Sequence, residues 1–130
     1  MARIRGNGNR DTELRMITLF RTHKIPGWRR GQKLFGKPDF VFRRERVAVF
    51  VDGCFWHGCP KPKHAPMPKS RTGWWAAKLE RNKVRDRFVS RTLRQKGWFV
   101  LRVWECDLAP KHWPRVTRKI LATLGRDATA

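Results

Sequence analysis

Apolar positions along this chain switch between a helical and an extended period, and the switches mark out its elements. Met16, Ile17 and Phe20 share one helical face. The spacing predicts a first helix with Asp11 as N-cap, running from Thr12 to about His23 before Pro26 and Gly27 stop it. Glu13 falls on the same face at about 100° per residue, so an acid sits among core-facing positions. It either needs a partner or serves the helix dipole as a first-turn acid. Residues 25–37 read as a basic loop punctuated by Pro and Gly, with Trp28, Arg29, Arg30 and Lys33 suited to phosphate contact. Two short apolar strands follow, through Asp39-Phe40-Val41-Phe42 and Val47-Ala48-Val49-Phe50-Val51, joined by the basic turn Arg43-Arg44-Glu45-Arg46. Asp39 heads the first, and a Cys/His cluster closes the second.

Pro60, Pro62, Pro66 and Pro68 forbid regular structure in the next stretch, which therefore needs an anchor. A long helix is expected from a cap near Ser70 or Thr72 to Lys96, with Gly97 as its stop. Trp75, Leu79, Val89 and Leu93 form its apolar stripe, and Asn82 and Asp86 fall in the middle of it, where an unpartnered acid is costly. Trp98 to Trp104 is apolar almost throughout and suits a strand buried on both faces. A last helix, Trp113 to Leu124 with Pro114 in its first turn, presents Trp113, Val116, Ile120 and Leu124. This order gives an α/β domain, a central mixed β-sheet flanked by helices, over residues 11–130. Residues 1–10, rich in Gly, Asn and Arg, read as a mobile basic arm.

The charge changes the picture. Thirty-one basic residues against ten acidic ones give a formal charge of +21, which points to a polyanion partner. A ribosomal-type basic protein is the bland alternative. Seven tryptophans and 40% hydrophobic content instead fit a packed core with flat rings able to stack or wedge. No window approaches eighteen apolar residues and no apolar signal segment opens the chain, so a cytoplasmic protein without a membrane partner is expected.

Four residue types, Cys, His, Asp and Glu, concentrate the chemistry. Cys54, Cys59 and His64 are evenly spaced, and Cys106 closes a later strand. Three thiolates and an imidazole make a closed structural Zn²⁺ site, with three separately buried cysteines as the alternative and His57 as a substitute for His64. Phosphodiester hydrolysis needs a cation, a deprotonated water and something to hold both. Asp39 is the candidate Mg²⁺ carboxylate and His57 the candidate base. Asp86 and Glu13 could orient them, and Asp52 reads as a further metal ligand or a turn residue.

Pro38-Asp39-Phe40-Val41-Phe42, Val49-Phe50-Val51-Asp52-Gly53-Cys54-Phe55-Trp56-His57-Gly58-Cys59-Pro60, Asn82 to Asp86, and Gly97-Trp98 to Val103-Trp104-Glu105-Cys106 together resemble the very-short-patch-repair (Vsr) mismatch endonucleases over nearly the whole chain. The resemblance implies a PD-(D/E)XK nuclease core and a Mg²⁺-dependent endonuclease that nicks double-stranded DNA at a T:G mismatch or similar distortion. It assigns Asp39 and the main-chain oxygen of Val51 to Mg²⁺, His57 as base, and Glu13 and Asp86 to an acid-acid-His-acid set. It gives Cys54, Cys59, His64 and Cys106 to Zn²⁺, and makes Phe55 and Trp56 an aromatic wedge, with one or both rings in the core as the alternative. Mismatch-repair proteins as partners, a monomeric state and nucleoid association on DNA complete the expectation. The chain departs from the wider motif in lacking its second acid and lysine at Val51 and Gly53, and Asp52 stands where the family's best-known member has histidine. A restriction or homing-type nuclease without a mismatch requirement, and a non-catalytic zinc module that only binds DNA, are the alternatives.

Overall fold

The computed structural model describes the backbone of residues 2–53 and 71–126, with side chains from residue 12 onward. The elements run α1 (Ala2–Thr22), β1 (Trp28–Arg29), β2 (Phe40–Phe42), β3 (Val47–Asp52), α2 (Thr72–Gln95), β4 (Phe99–Trp104) and α3 (Trp113–Leu124), with two short 3₁₀ turns, Glu105–Leu108 and Pro110–His112, before α3. The strands form one sheet in the order β1-β2-β3-β4. The first three are antiparallel neighbours, and β4 lies parallel to β3 in the register Val47↔Phe99 to Asp52↔Trp104. The fold is the expected α/β class with a mixed sheet between helices.

β3 is buried at every position, so both faces of the sheet must be covered there. Because side chains alternate along a strand, Val47, Val49 and Val51 join Leu101 and Val103 of β4 on one face. They pack with Met16, Leu19 and Phe20 of α1 and Val116, Ile120 and Leu124 of α3. Ala48 and Phe50 face the other way, onto Val89 and Leu93 of α2. Phe20 is the hinge of the larger cluster, edge-on to Phe40 at 5.2 Å and to Phe42 at 5.7 Å and stacked on Trp28 at 5.5 Å.

Several boundaries differ from those read off the sequence. α1 begins at Ala2 and not at Asp11, because a nucleated helix gains a hydrogen bond for each residue added. Trp28 and Arg29 leave the predicted loop to pair with Phe42 and Val41 as an edge strand, since the Trp28 ring finds its partner on Phe20. The cap of α2 is Arg71, in a left-handed conformation and without a side-chain cap bond. Only the C-terminal half of α2 reaches the core: Val89, Ser90 and Leu93 are buried, while Trp74, Val84 and Phe88 are 45%, 51% and 56% exposed. Length explains this, since 24 helical residues span roughly 36 Å and a six-residue strand only about 20 Å. β4 buries Leu101 and Val103 but leaves Phe99 61% exposed, because it lies at an edge of the described sheet and not in its middle.

Gly97 does end α2 as expected. At φ 90° its N–H donates to the Arg94 carbonyl and the Trp98 N–H to the Leu93 carbonyl, each at 3.0 Å, the reciprocal pair of a Schellman stop. Arg46, from the β2–β3 turn, donates to the carbonyls of Gly97 and Lys96 at 3.2 Å and lies over the Trp98 ring, neutralising the helix C-terminus. Gly36, at φ 82°, lets its loop touch α2, where an added Cβ would collide with the Val89 side chain.

Phe20→Ala should lower unfolding stability by about 3–5 kcal/mol, read from urea denaturation. A loss below about 1 kcal/mol would show that Phe20 does not join the two strands to α1.

Candidate active site

Asp39 sits immediately before β2, where the antiparallel ladder ends. Phe40 pairs with Val49, so Val51 lies beyond the last paired residue and its N–H has no strand partner on β2. Asp39 supplies one: the Val51 N–H donates to Asp39 Oδ2 at 2.7 Å. In an antiparallel ladder the N–H and C=O of one residue lie on the same side of its strand. The Val51 carbonyl therefore shares the edge that Asp39 occupies. A carboxylate and a main-chain oxygen side by side are the donors that a hard divalent cation takes, its remaining positions filled by water. The residues present fit Mg²⁺. Among the described residues no group of three or more His, Cys, Asp and Glu gathers to hold a metal.

Behind it lies a polar knot that the pattern of the chain did not reveal. Arg102, from the middle of β4, donates from Nη1 to both oxygens of Asp52 at 3.0 and 3.2 Å, and from Nε to Ser90 Oγ at 2.9 Å. Its Nη2 donates to the main-chain oxygen of Asp86 at 3.2 Å, and its Nη1 lies 3.9 Å from Asp86 Oδ1. The guanidinium stacks over Phe50 at 4.2 Å. One side chain thus joins the end of β3 to α2 at Asp86. The Asp52 side chain is 6% exposed, ends β3 and shares both its oxygens with the one nitrogen Arg102 Nη1 in an ion pair, which corrects its reading as a turn residue. Arg102 and Ser90 were missed in the sequence, although an arginine inside the apolar run Phe99 to Trp104 is itself a signal, because a buried cation demands a partner.

Asp86 and Asn82 are both half-buried on α2. Asp86 meets the sheet through Arg102, as a core-facing acid requires. Glu13 is held differently. Its Oε1 accepts from Arg30 Nη2 at 3.2 Å, so it pairs outward with a cation and not with the apolar stripe of α1. Arg29 pairs with Val41, so Arg30 follows at the end of the sheet where Asp39 precedes Phe40. Glu13 is therefore tied to the Asp39 end of the sheet through an arginine.

Cys106 lies half-buried in the 3₁₀ turn after β4. His57, Cys54, Cys59, His64, Phe55 and Trp56 lie outside the described residues. The base, the wedge and the remaining zinc ligands stay expectations drawn from the sequence.

Removing one partner of the Asp52–Arg102 pair leaves a buried charge uncompensated. Arg102→Met should therefore cost about 3–5 kcal/mol, and Asp52→Asn combined with it should restore most of that loss. Equal denaturant midpoints for the single and the double variant would show that Asp52 is not left as an uncompensated charge when Arg102 is removed.

The family model described as DNA mismatch endonuclease Vsr matches residues 1–61. The DNA mismatch endonuclease Vsr of Escherichia coli K12 is 38% identical over 109 residues, which cover 81% of this chain and 68% of that protein. The type II nicking enzyme V.NaeI of Lentzea aerocolonigenes is 54% identical over 69 residues, 53% of this chain and 40% of the enzyme. V.NmeDIP, a type II nicking enzyme of Neisseria meningitidis serogroup C, is 48% identical over 75 residues, 58% of this chain and 51% of the enzyme. The chain spans about half the length of these nicking relatives. With a full-length relative matched over two thirds of its sequence and the Asp39 end of the sheet formed as described, the chain belongs to the Vsr family, within the PD-(D/E)XK nuclease superfamily.

Proposed function

We propose that this protein is a Mg²⁺-dependent DNA endonuclease that nicks duplex DNA at a T:G mismatch or a similarly distorted site. The observation that carries the reading is Asp39, clasped by the Val51 N–H at the open end of the β2–β3 ladder in a chain of the Vsr family. Asp39 and the Val51 carbonyl would hold Mg²⁺, and when bound it neutralises charge developing on the phosphodiester oxygens. His57 takes the proton of the attacking water on an imidazole nitrogen, which is neutral and basic near pH 7. Asp86 and Glu13 hold the surrounding polar groups in place, Asp86 from α2 and Glu13 through Arg30. Phe55 and Trp56 select the site by wedging where the duplex is weakest, since unstacking is cheapest at a mispair.

A structural Zn²⁺ site of Cys54, Cys59, His64 and Cys106 belongs to the same reading. The parallel register ends at Asp52↔Trp104, with Cys54 two positions further along the sequence from Asp52 and Cys106 two positions further from Trp104. That register supports a shared site for the two thiolates. Among the described residues no helix is long and apolar enough to cross a membrane. A second reading, nicking at a fixed sequence without a mispair, is favoured by the relatives named type II nicking enzymes.

Paired duplexes differing only by a central T:G mispair decide between these readings. Wild type should nick one strand of the mismatched duplex when Mg²⁺ is added. His57→Ala should slow nicking by about 10²–10⁴-fold, and Asp39→Asn should abolish it with binding retained. Equal nicking of both duplexes would establish the sequence-bound reading. Tight binding without nicking would leave only a DNA-binding module. Chelation that removes bound zinc should lower Tm by about 10 °C or more; an unchanged Tm after verified removal would disprove the structural zinc.

A further inference from the structure

A cleft of about 450 Å³ lies along α2 where the helix meets β4, lined by Asp86, Arg87, Ser90, Arg91, Arg94 and Arg102. Its arginines are not equivalent. Arg102 is consumed by Asp52, Ser90 and Asp86 and forms the floor. Arg87 lies 3.7 Å from Glu80, both side chains more than 60% exposed, a pair worth little in water. Arg91 and Arg94 are exposed, and no acid among the described residues engages them. Three cations therefore face a cleft whose one lining acid, Asp86, stands at the end joined to the candidate active site.

The spacing suits an extended anion. From Arg87 to Arg94 the helix rises roughly 10 Å, close to the axial rise of three nucleotides at about 3.4 Å each. A guanidinium binds a phosphate through paired N–H donors, and a row of them reads a backbone and not a base. Resting on the reading that duplex DNA is the substrate, we infer that this cleft seats the sugar-phosphate backbone next to the cut, with Arg91 and Arg94 each contacting a phosphate. The cleft supplies affinity and direction, and the chemistry stays at Asp39. The strand leaving the active site follows α2 past Asp86, so α2 serves both as a wall of the sheet and as a track for the nucleic acid.

Salt dependence of binding tests this. Arg91→Gln/Arg94→Gln removes two charges from the cleft, and Arg118→Gln/Lys119→Gln removes two from exposed positions on α3, across the sheet. Fluorescence anisotropy on a labelled duplex gives the slope of log K against log salt without requiring cleavage. The cleft variant should flatten that slope by about 1.8 and weaken binding about tenfold at roughly 0.15 M salt. Its KM should rise with kcat within about twofold, its Tm should be unchanged, and the α3 variant should keep the wild-type slope. Equal losses in the two variants would show a diffuse field and overturn the cleft, as would a wild-type slope and affinity in the cleft variant. A wild type that binds but does not nick refutes the catalytic reading alone, because the slopes still decide for or against the cleft. A wild type that binds no duplex overturns both.

Discussion

A strand with no solvent-facing side dictates the architecture of this protein. Every residue of β3 from Val47 to Asp52 is buried, so its backbone must be paired on both edges and its side chains covered on both faces. β2 and β4 provide the pairing, α1 and α3 cover one face, and α2 covers the other. β2 stops short, however, and at Val51 the strand has a main-chain donor and acceptor with no ladder to join. Asp39 fills that gap with a side chain. The polar chemistry thus collects at the end of β3 because the ladder runs out there while burial continues.

The acids are few, and they serve as joints between elements. Glu13 meets Arg30, tying α1 to the residue after β1. Glu45, in the β2–β3 turn, accepts from Arg126 at 2.6 Å, and Arg126 also donates to the Pro26 carbonyl at 2.9 Å. One arginine beyond α3 thereby ties the hairpin to the connection after α1. Asp107 holds Arg115 at 2.9 Å across the turn into α3. In a chain of this charge, self-repulsion opposes compaction. Carboxylates placed at crossings between elements relieve it where it would pull the fold apart, and none among the described residues engages the exposed Arg91 and Arg94 of α2.

Arg102 links these themes. It is a cation in a mostly apolar strand, and its partners come from β3 and α2. Both oxygens of Asp52 are taken up by that arginine, one residue along the strand from the Val51 N–H that Asp39 holds. The same arginine, through Nη2, fixes the backbone of Asp86. Catalytic geometry tolerates errors well under an ångström, and a guanidinium with donors in a rigid fork holds two elements more tightly than a flexible ammonium would.

Local pattern alone determined the main elements: the apolar hairpin, the last helix, the Schellman stop at Gly97 and the α/β order all follow from periodicity and from residues whose conformational limits act within a few positions. The block around Asp39 and the Gly-Cys-Phe-Trp-His run carried the family in the same way. Tertiary structure decided what depends on partners distant in the chain. Trp28 and Arg29 became a strand because Phe20 offered a ring face, the outer half of α2 stayed exposed because the sheet beneath it is shorter, and Glu13 turned to Arg30. Asp52 could be read as a ligand or a turn residue until Arg102, fifty positions on, took both its oxygens. Periodicity reports which face of an element is buried, but it carries no information about which charge is waiting on the other side.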